Sequence, residues 1–368
     1  MRSRSRLARW SAWRACCSRD GEGLMAWTAP APWLAVPGRC AGIGRRAARA
    51  WLAVLAMAMV FVGLTVPAAS SPPEFLHDAI VAALRHGGEF YDSTRDLLRT
   101  EPDADAARLL PPALAVIDAA MPGWGMLALV AAVLTILMWA GGLRFGALFA
   151  RTSGVVMVVS LLAAAIAALA GLWLSAPHAA AAAALSALAL VARARTHCVA
   201  SCATACAAAI IDPAALITIG VMGALASAER EGRETIGWLT AGGIASVVLA
   251  VHLHALSGVA IAAPDPALSG QALARLVNAG LPGLSQMIAA PLLILSAFGW
   301  ATIGEPLGPR VVALMLAGVA LDGVCGMRSA TLAAAFVAPG IALAPGALAD
   351  LMRGALDRRR ITVTRVVR

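Results

Sequence analysis

HCVASCATACAAAIIDPAALITIGVMGALASA, residues 197–228, is an apolar run broken near its middle by Asp212-Pro213, and its reading sets how the whole chain crosses a membrane. Proline supplies no N–H and disfavours helical backbone at the residue before it, so the run divides into two helical arms at this pair. Each arm holds about 14–16 residues, roughly 21–24 Å of helix, against about 30 Å of hydrocarbon. Read as one crossing, the run inverts every later loop, and the 29 basic residues, all arginines, divide 16 to 13. Read as a hairpin that turns back before the far surface, it puts 23 of the 29 on one side and leaves Arg85, Arg95, Arg99, Arg108, Arg275 and Arg328 on the other. Basic residues concentrate in cytoplasmic loops, so the charges select the hairpin.

The composition around the run agrees. Hydrophobic residues make up 60% and charged residues 13%, with a mean hydropathy of +0.81, whereas soluble domains carry about 25% charged residues. A soluble enzyme is excluded. The net charge of +9 comes from arginines scattered over short loops, a pattern that fixes orientation, and nucleic acid is not an expected partner. Seven cysteines, none between residues 70 and 110, do not form a disulfide framework. Cys198, Cys202 and Cys206 recur every fourth residue beside His197, along one helix face and not around a point, so they read as small packing residues and no metal site is assigned.

In chain order, residues 1–46 read as a disordered basic cytosolic arm, with Met25 as an alternative start. WLAVLAMAMVFVGLTVPA, from Trp51, is the first span; a cleaved signal peptide ending near Val66 and Ala68 is the rival reading. Residues 47–350 form the membrane domain, with a first outer loop at 70–121 that carries amphipathic helices, and residues 351–368 form a basic cytosolic tail. Further spans fall near 124–144, 151–173, 178–192, 235–262, 285–303 and 309–325, and a Gly/Pro-interrupted one at 330–350. The expected fold is therefore an all-α polytopic membrane protein of about 9–10 membrane helices with both termini cytosolic. No internal repeat of about 20–50 residues is visible, which argues against an inverted-repeat transporter.

In this topology Asp212, His252, His254, Asp322 and Arg328 all lie toward the outer leaflet. Ionisable groups there cost at least about 2.5–3.5 kcal/mol unless they meet a cavity or a partner, so they are expected to share an outward-opening pocket. The competing reading is local pairing, Asp322 with Arg328 for instance, or snorkelling to the interface. Above them lies the loop SSPPEFLHDAIVAALRHGGEFYDSTRDLLRTEPDADAARLL, residues 70–110, which holds the only tyrosine, Tyr91. FLHDAIVAALRHGG reads as an interfacial helix stopped by Gly87-Gly88, with Asp78 in its first turn. Glu74, where the first span emerges, is suited to accept a proton from a hydroxyl; Arg85, Arg95 and Arg99 are suited to hold a phosphate. A solvated acidic face is the plainer alternative.

An arginine-flanked first span, a carboxylate at its outer exit, an amphipathic helix ending in Gly-Gly and the cluster Glu89-Phe90-Tyr91-Asp92 together resemble the multi-pass glycosyltransferases of the C type, which use polyprenyl-phosphate-linked sugars. The resemblance covers residues 45–350 in layout. It implies an integral-membrane enzyme of the bacterial inner membrane that moves a sugar to an acceptor hydroxyl at the outer face. Glu74 would be its catalytic general base, with Asp78, or else Glu89 or Asp92, as a second acid that orients the acceptor or a divalent ion. Arg85, Glu89, Tyr91, Asp92, Arg95, Asp212, His254, Asp322 and Arg328 would bind substrate. The implied partners are a lipid-linked sugar donor and membrane lipids; a divalent metal ion is the one cofactor left open, with no ligands assigned. The chain departs from the family where Pro73-Glu74 replaces a pair of acids, where Ala179 and not an acid follows His178, where Ile211-Asp212 replaces an arginine–acid pair, and where SATLAAAF follows Arg328. A non-catalytic membrane protein, a lipid or small-solute transporter, and a scaffold working through the basic arm stand beside this reading.

Overall fold

The computed structural model describes residues 33–35, 38–41, 43–67, 75–100, 110–194, 198–257, 269–325 and 328–356. These form α1 (Arg45–Thr65), α2 (Phe75–Arg85), α3 (Phe90–Thr100), α4 (Ala113–Ala120), α5 (Gly123–Gly146), α6 (Thr152–Trp173), α7 (Pro177–Ala192) and α8 (Val199–Ile211). After them come α9 (Leu216–Ala228), α10 (Gly232–Ala255), α11 (Ser269–Gly280), α12 (Gln286–Thr302), α13 (Leu307–Cys325) and α14 (Ala334–Leu356), with 3-10 turns at Pro213–Ala215 and Ser329–Ala333. Six of the helices are long and apolar enough to cross a membrane, and four shorter apolar ones accompany them. The protein is thus an all-α polytopic membrane protein. Among the described residues the sole β-type contact is an isolated bridge between Leu34 and Phe149.

The 197–228 run is a hairpin. Arg193, just before α8, lies 3.6 Å from Glu229, just after α9, so both feet stand at one level. The arms can be ranged against α10: a Cβ on Gly237 would meet Cys202 Sγ at 3.0 Å, one on Gly223 would meet Trp238 at 3.3 Å, and one on Gly242 would meet Ile219 at 3.4 Å. Hence α8 rises alongside α10 and α9 descends against it. The tip falls near the level of Ala245, and α10 continues roughly 15 Å beyond it at 1.5 Å per residue. Asp212 does more than precede the proline: its carboxylate accepts the Ala214 N–H at 2.9 Å and caps the 3-10 turn.

Contacts sort the loops to two sides. On the terminal side Arg49 donates to Ala355 O, and Arg144 donates to Arg193 O and reaches Glu305. The other, loop side joins α2–α4 to the ends of α7 and α10, and α11 to α13. α14 is the central helix, with 78% of its apolar window buried against 11% for α1. It packs on α12 through glycine. A Cβ on Gly299 would lie 3.1 Å from Leu343 Cβ, and one on Gly340 would lie 2.6 Å from the Trp300 ring. With no hydrophobic force between helices in lipid, such close backbone approach is what holds them together. Pro339 and Pro345 sit inside α14 without ending it, so the expected interruption at 330–350 is not a break.

Two boundaries shift. Residues 33–35 and 38–41, expected in the disordered arm, are built into the fold: Trp33 Nε1 donates to Ala342 O at 3.0 Å, Ala35 N to Leu148 O at 2.8 Å and Arg39 N to Thr302 O at 2.7 Å. The expected tail starts too early as well, since α14 runs to Leu356 and buries Leu351 and Ala355 against Cys40 and Ala48. The rest of the arm and tail, 1–32 and 357–368, lies outside the described residues.

Candidate functional site

The described residues of the 70–121 loop fold as a small cap with its own apolar centre. Leu76, Ile80 and Val81 of α2 meet Ala115 of α4, flanked by Leu84, Phe90 and Leu97, separately from the main core. The helical spacing of these residues makes one apolar face, and Gly87, at a φ of +86°, ends α2 in the left-handed conformation that favours glycine. The turn into α3 is close, because a Cβ on Gly88 would meet Ser93 Oγ at 2.9 Å.

Side chains fasten the cap to the bundle. Arg95 Nη2 donates to Ala255 O at 2.6 Å, at the end of α10, while Nη1 bonds Asp92 at 3.1 Å. Phe90 and Tyr91 lie over the buried His252 ring, with centroids 6.3 and 5.8 Å away. His77 of α2 meets His178, at the start of α7, edge to face at 4.9 Å, and both are buried. Histidines thus mark two of the places where the cap rests on the membrane helices.

Around His77 the groups converge. Its Nε2 lies 3.4 Å from Asp118 Oδ2 in α4, and Arg85 Nη2 donates to Asp118 Oδ1 and to its backbone O, each at 3.1 Å. The ring lines a cleft of about 20 Å³, shared with Leu76, Ile80, Thr94, Leu110, Ala115 and His178. That volume holds a single water or hydroxyl. Burial, and next the neighbouring His178 ring, push the His77 pKa below the ordinary histidine range, against the opposing pull of Asp118 and Asp78. The imidazole is therefore neutral near pH 7, and a neutral imidazole can accept a proton.

The residues expected at the site distribute unevenly. Glu74 lies outside the described residues. Asp78 and Glu89 are exposed, Tyr91 is half-buried against His252, Asp92 is held by Arg95, and Arg85 turns to Asp118. Asp212, His254, Asp322 and Arg328, expected to share a pocket, make the following contacts among the described residues. Asp212 caps its own turn, His254 is exposed while His252 points inward, and Arg328 precedes a 3-10 turn and accepts Thr331 Oγ1 on its carbonyl. Asp322, fully buried, hydrogen-bonds Arg275 and accepts the Ala330 N–H at 3.4 Å, and Arg328, its partner in the pairing alternative, acts on it electrostatically as well. Among the described residues no three His, Cys, Asp or Glu groups converge as a metal site would require.

His77, Asp118 and His178 are the residues the sequence reading did not single out as a site. Their signals were faint: a histidine beside Asp78, one acid in the apolar segment ALAVIDAA, and one histidine opening an alanine-rich span. No protein-family model matches the chain, and neither a curated protein nor a solved structure matches it.

Proposed function

We propose that this membrane protein is a glycosyltransferase that takes a sugar from a polyprenyl-phosphate carrier and passes it to an acceptor hydroxyl at the outer face of the bacterial inner membrane. The observation that carries the reading is the cap, an amphipathic three-helix unit that encloses a neutral, carboxylate-held histidine at one end of the bundle. It lies at the level where a lipid phosphate and a water-soluble acceptor meet. Arg45, Arg46, Arg49, Arg144, Arg193 and Arg310 on the terminal side, against Arg85, Arg95, Arg275 and Arg328 on the loop side, support an outward-facing cap with cytosolic termini. In the reaction the acceptor oxygen attacks the anomeric carbon, the bond from that carbon to the phosphate oxygen breaks, and polyprenyl phosphate leaves with the electron pair. The hydroxyl proton passes to a base in the loop.

The test is transfer in reconstituted vesicles loaded with a pool of radiolabelled polyprenyl-phosphate hexoses and pentoses. Label appearing in a water-soluble product only when the protein is present supports the reading. No transfer from any donor overturns it in favour of a non-catalytic membrane protein. That second reading is favoured by Asp212 and Asp322, which are engaged in a turn and an ion pair. Orientation is tested separately: Ser257→Cys should label from outside and Glu231→Cys from the cytosol.

A further inference from the structure

We infer that the cleft between α2, α3, α4 and α7 receives one hydroxyl group of the acceptor, and that His77 Nδ1 takes its proton. The inference rests on the transfer reading and names the base which that reading leaves open.

A carboxylate only accepts, so the contact with Asp118 assigns the N–H to Nε2 and leaves a lone pair on Nδ1. Nδ1 is buried and has no hydrogen-bond partner among the described residues, on a residue only 6% exposed. A buried acceptor left unmet is costly, and what it lacks is a donor. The cleft beside the ring has room for one O–H but not for a sugar. Thr94, on the same wall, donates its own hydroxyl hydrogen to Phe90 O at 2.7 Å, so toward the cleft it too offers lone pairs. The walls thus ask for a donor, as an alcohol supplies and an ether does not. Arg85 holds Asp118 from its other oxygen, which fixes the carboxylate that orients the imidazole. This is the arrangement of a base held by a third group.

The step balances. The proton moves from the acceptor oxygen to Nδ1, that oxygen's pair forms the new bond to the anomeric carbon, and the departing phosphate carries away the old bonding pair. The imidazolium returns its proton to water. Asp118 is a positioning residue here.

The test uses full-length protein with ¹⁵N-histidine in lipid nanodiscs, with glycerol as the alcohol probe and 1,2-dimethoxyethane as its ether control. The expected result is an unprotonated Nδ1 resonance for His77 that moves with glycerol and not with the ether, and a tautomer change in Asp118→Asn. In the transfer assay His77→Gln should lower the rate by about 10²–10⁴-fold, while His86→Gln, at an exposed histidine of the same loop, stays within about threefold. If His77→Gln also disturbs the His178 and His252 resonances, Asp118→Asn carries the kinetic comparison. A resonance that responds to neither probe means a buried water only and overturns the proposal. So does loss of transfer in Glu74→Gln with His77→Gln spared. A resonance that moves with glycerol in a protein that transfers no sugar defeats the transfer reading and leaves the hydroxyl site standing.

Discussion

The two ends of the bundle bury polar groups in opposite ways. On the terminal side Arg193 grips both carboxylate oxygens of Glu234 at 2.6 and 2.7 Å, and Trp238 Nε1 donates to the same carboxylate at 3.2 Å. Arg310 grips Glu229 at 2.9 and 2.7 Å, and Arg144 meets Glu305 at 2.9 Å. Three cations face three anions; among the described residues the ε nitrogens of Arg144 and Arg310 lack acceptors, but each charge has its counter-charge. These pairs tie the feet of the hairpin to α7, α10 and α13. On the loop side His77 keeps one nitrogen engaged and one unmet, beside a cleft. Charges matched by counter-charges stabilise one arrangement; a ring nitrogen left unmet beside a cleft is a place where a ligand has something to gain.

The sharpest way to break the contrast is Glu234→Ala. With Arg193 and Glu234 only 4% and 3% exposed, removal of Glu234 leaves the buried Arg193 with only its longer contact to Glu229 at 3.6 Å and should cost up to about 3–5 kcal/mol. It should appear as a large fall in the thermal midpoint in detergent, whereas replacing both by apolar residues of similar volume should be far milder. A near-neutral Glu234→Ala would show that water reaches the pair. Next comes Asp322→Asn, which removes the charge facing Arg275 and should cost about 1.5–3 kcal/mol in the same assay.

A smaller effect separates the ends by pH. The groups at the cap are His77, His178, Asp118, Asp78 and Arg85 on one side and His252, Tyr91, Asp92 and Arg95 on the other. Because the folded pKa of His77 is depressed, the unfolded chain binds the proton first as pH falls below about 6.5, so folding loses stability there and keeps it above. Hydrogen-exchange protection, taken relative to the intrinsic rate at each pH, should fall in α2–α4 between about pH 7 and pH 5 while the feet of the hairpin stay protected. Equal loosening at both ends would erase the distinction. The smallest effect belongs to Asp212→Asn. The amide oxygen still accepts the Ala214 N–H, and Asn caps about as well as Asp, so the change at the cap alone should cost no more than about 0.5 kcal/mol. A larger loss would show that the charge itself serves a partner at the hairpin tip.

Much of the architecture was legible in the chain because lipid leaves few options: backbone polar groups must bond within helices, so apolar length, prolines and arginines largely dictate the crossings. The hairpin follows from arm length and charge, and the 75–85 helix from its period and its glycine stop. Less of the site was legible. Glu89 and Asp92, conspicuous in a polar stretch, are exposed, whereas His77 and Asp118 stand 41 residues apart and become neighbours only when α2 packs on α4. In the same way Asp322 finds Arg275, 47 residues before it, and Arg193 finds Glu234 across the hairpin, 41 residues on. Hydropathy and charge are properties of a segment, so the sequence by itself determined an all-α membrane body and the course of its crossings. Which ionisable side chain meets which, and which nitrogen is left over, depends on the rotation of each helix about its axis. Packing against several neighbours at once sets that rotation, and tertiary structure alone decided it.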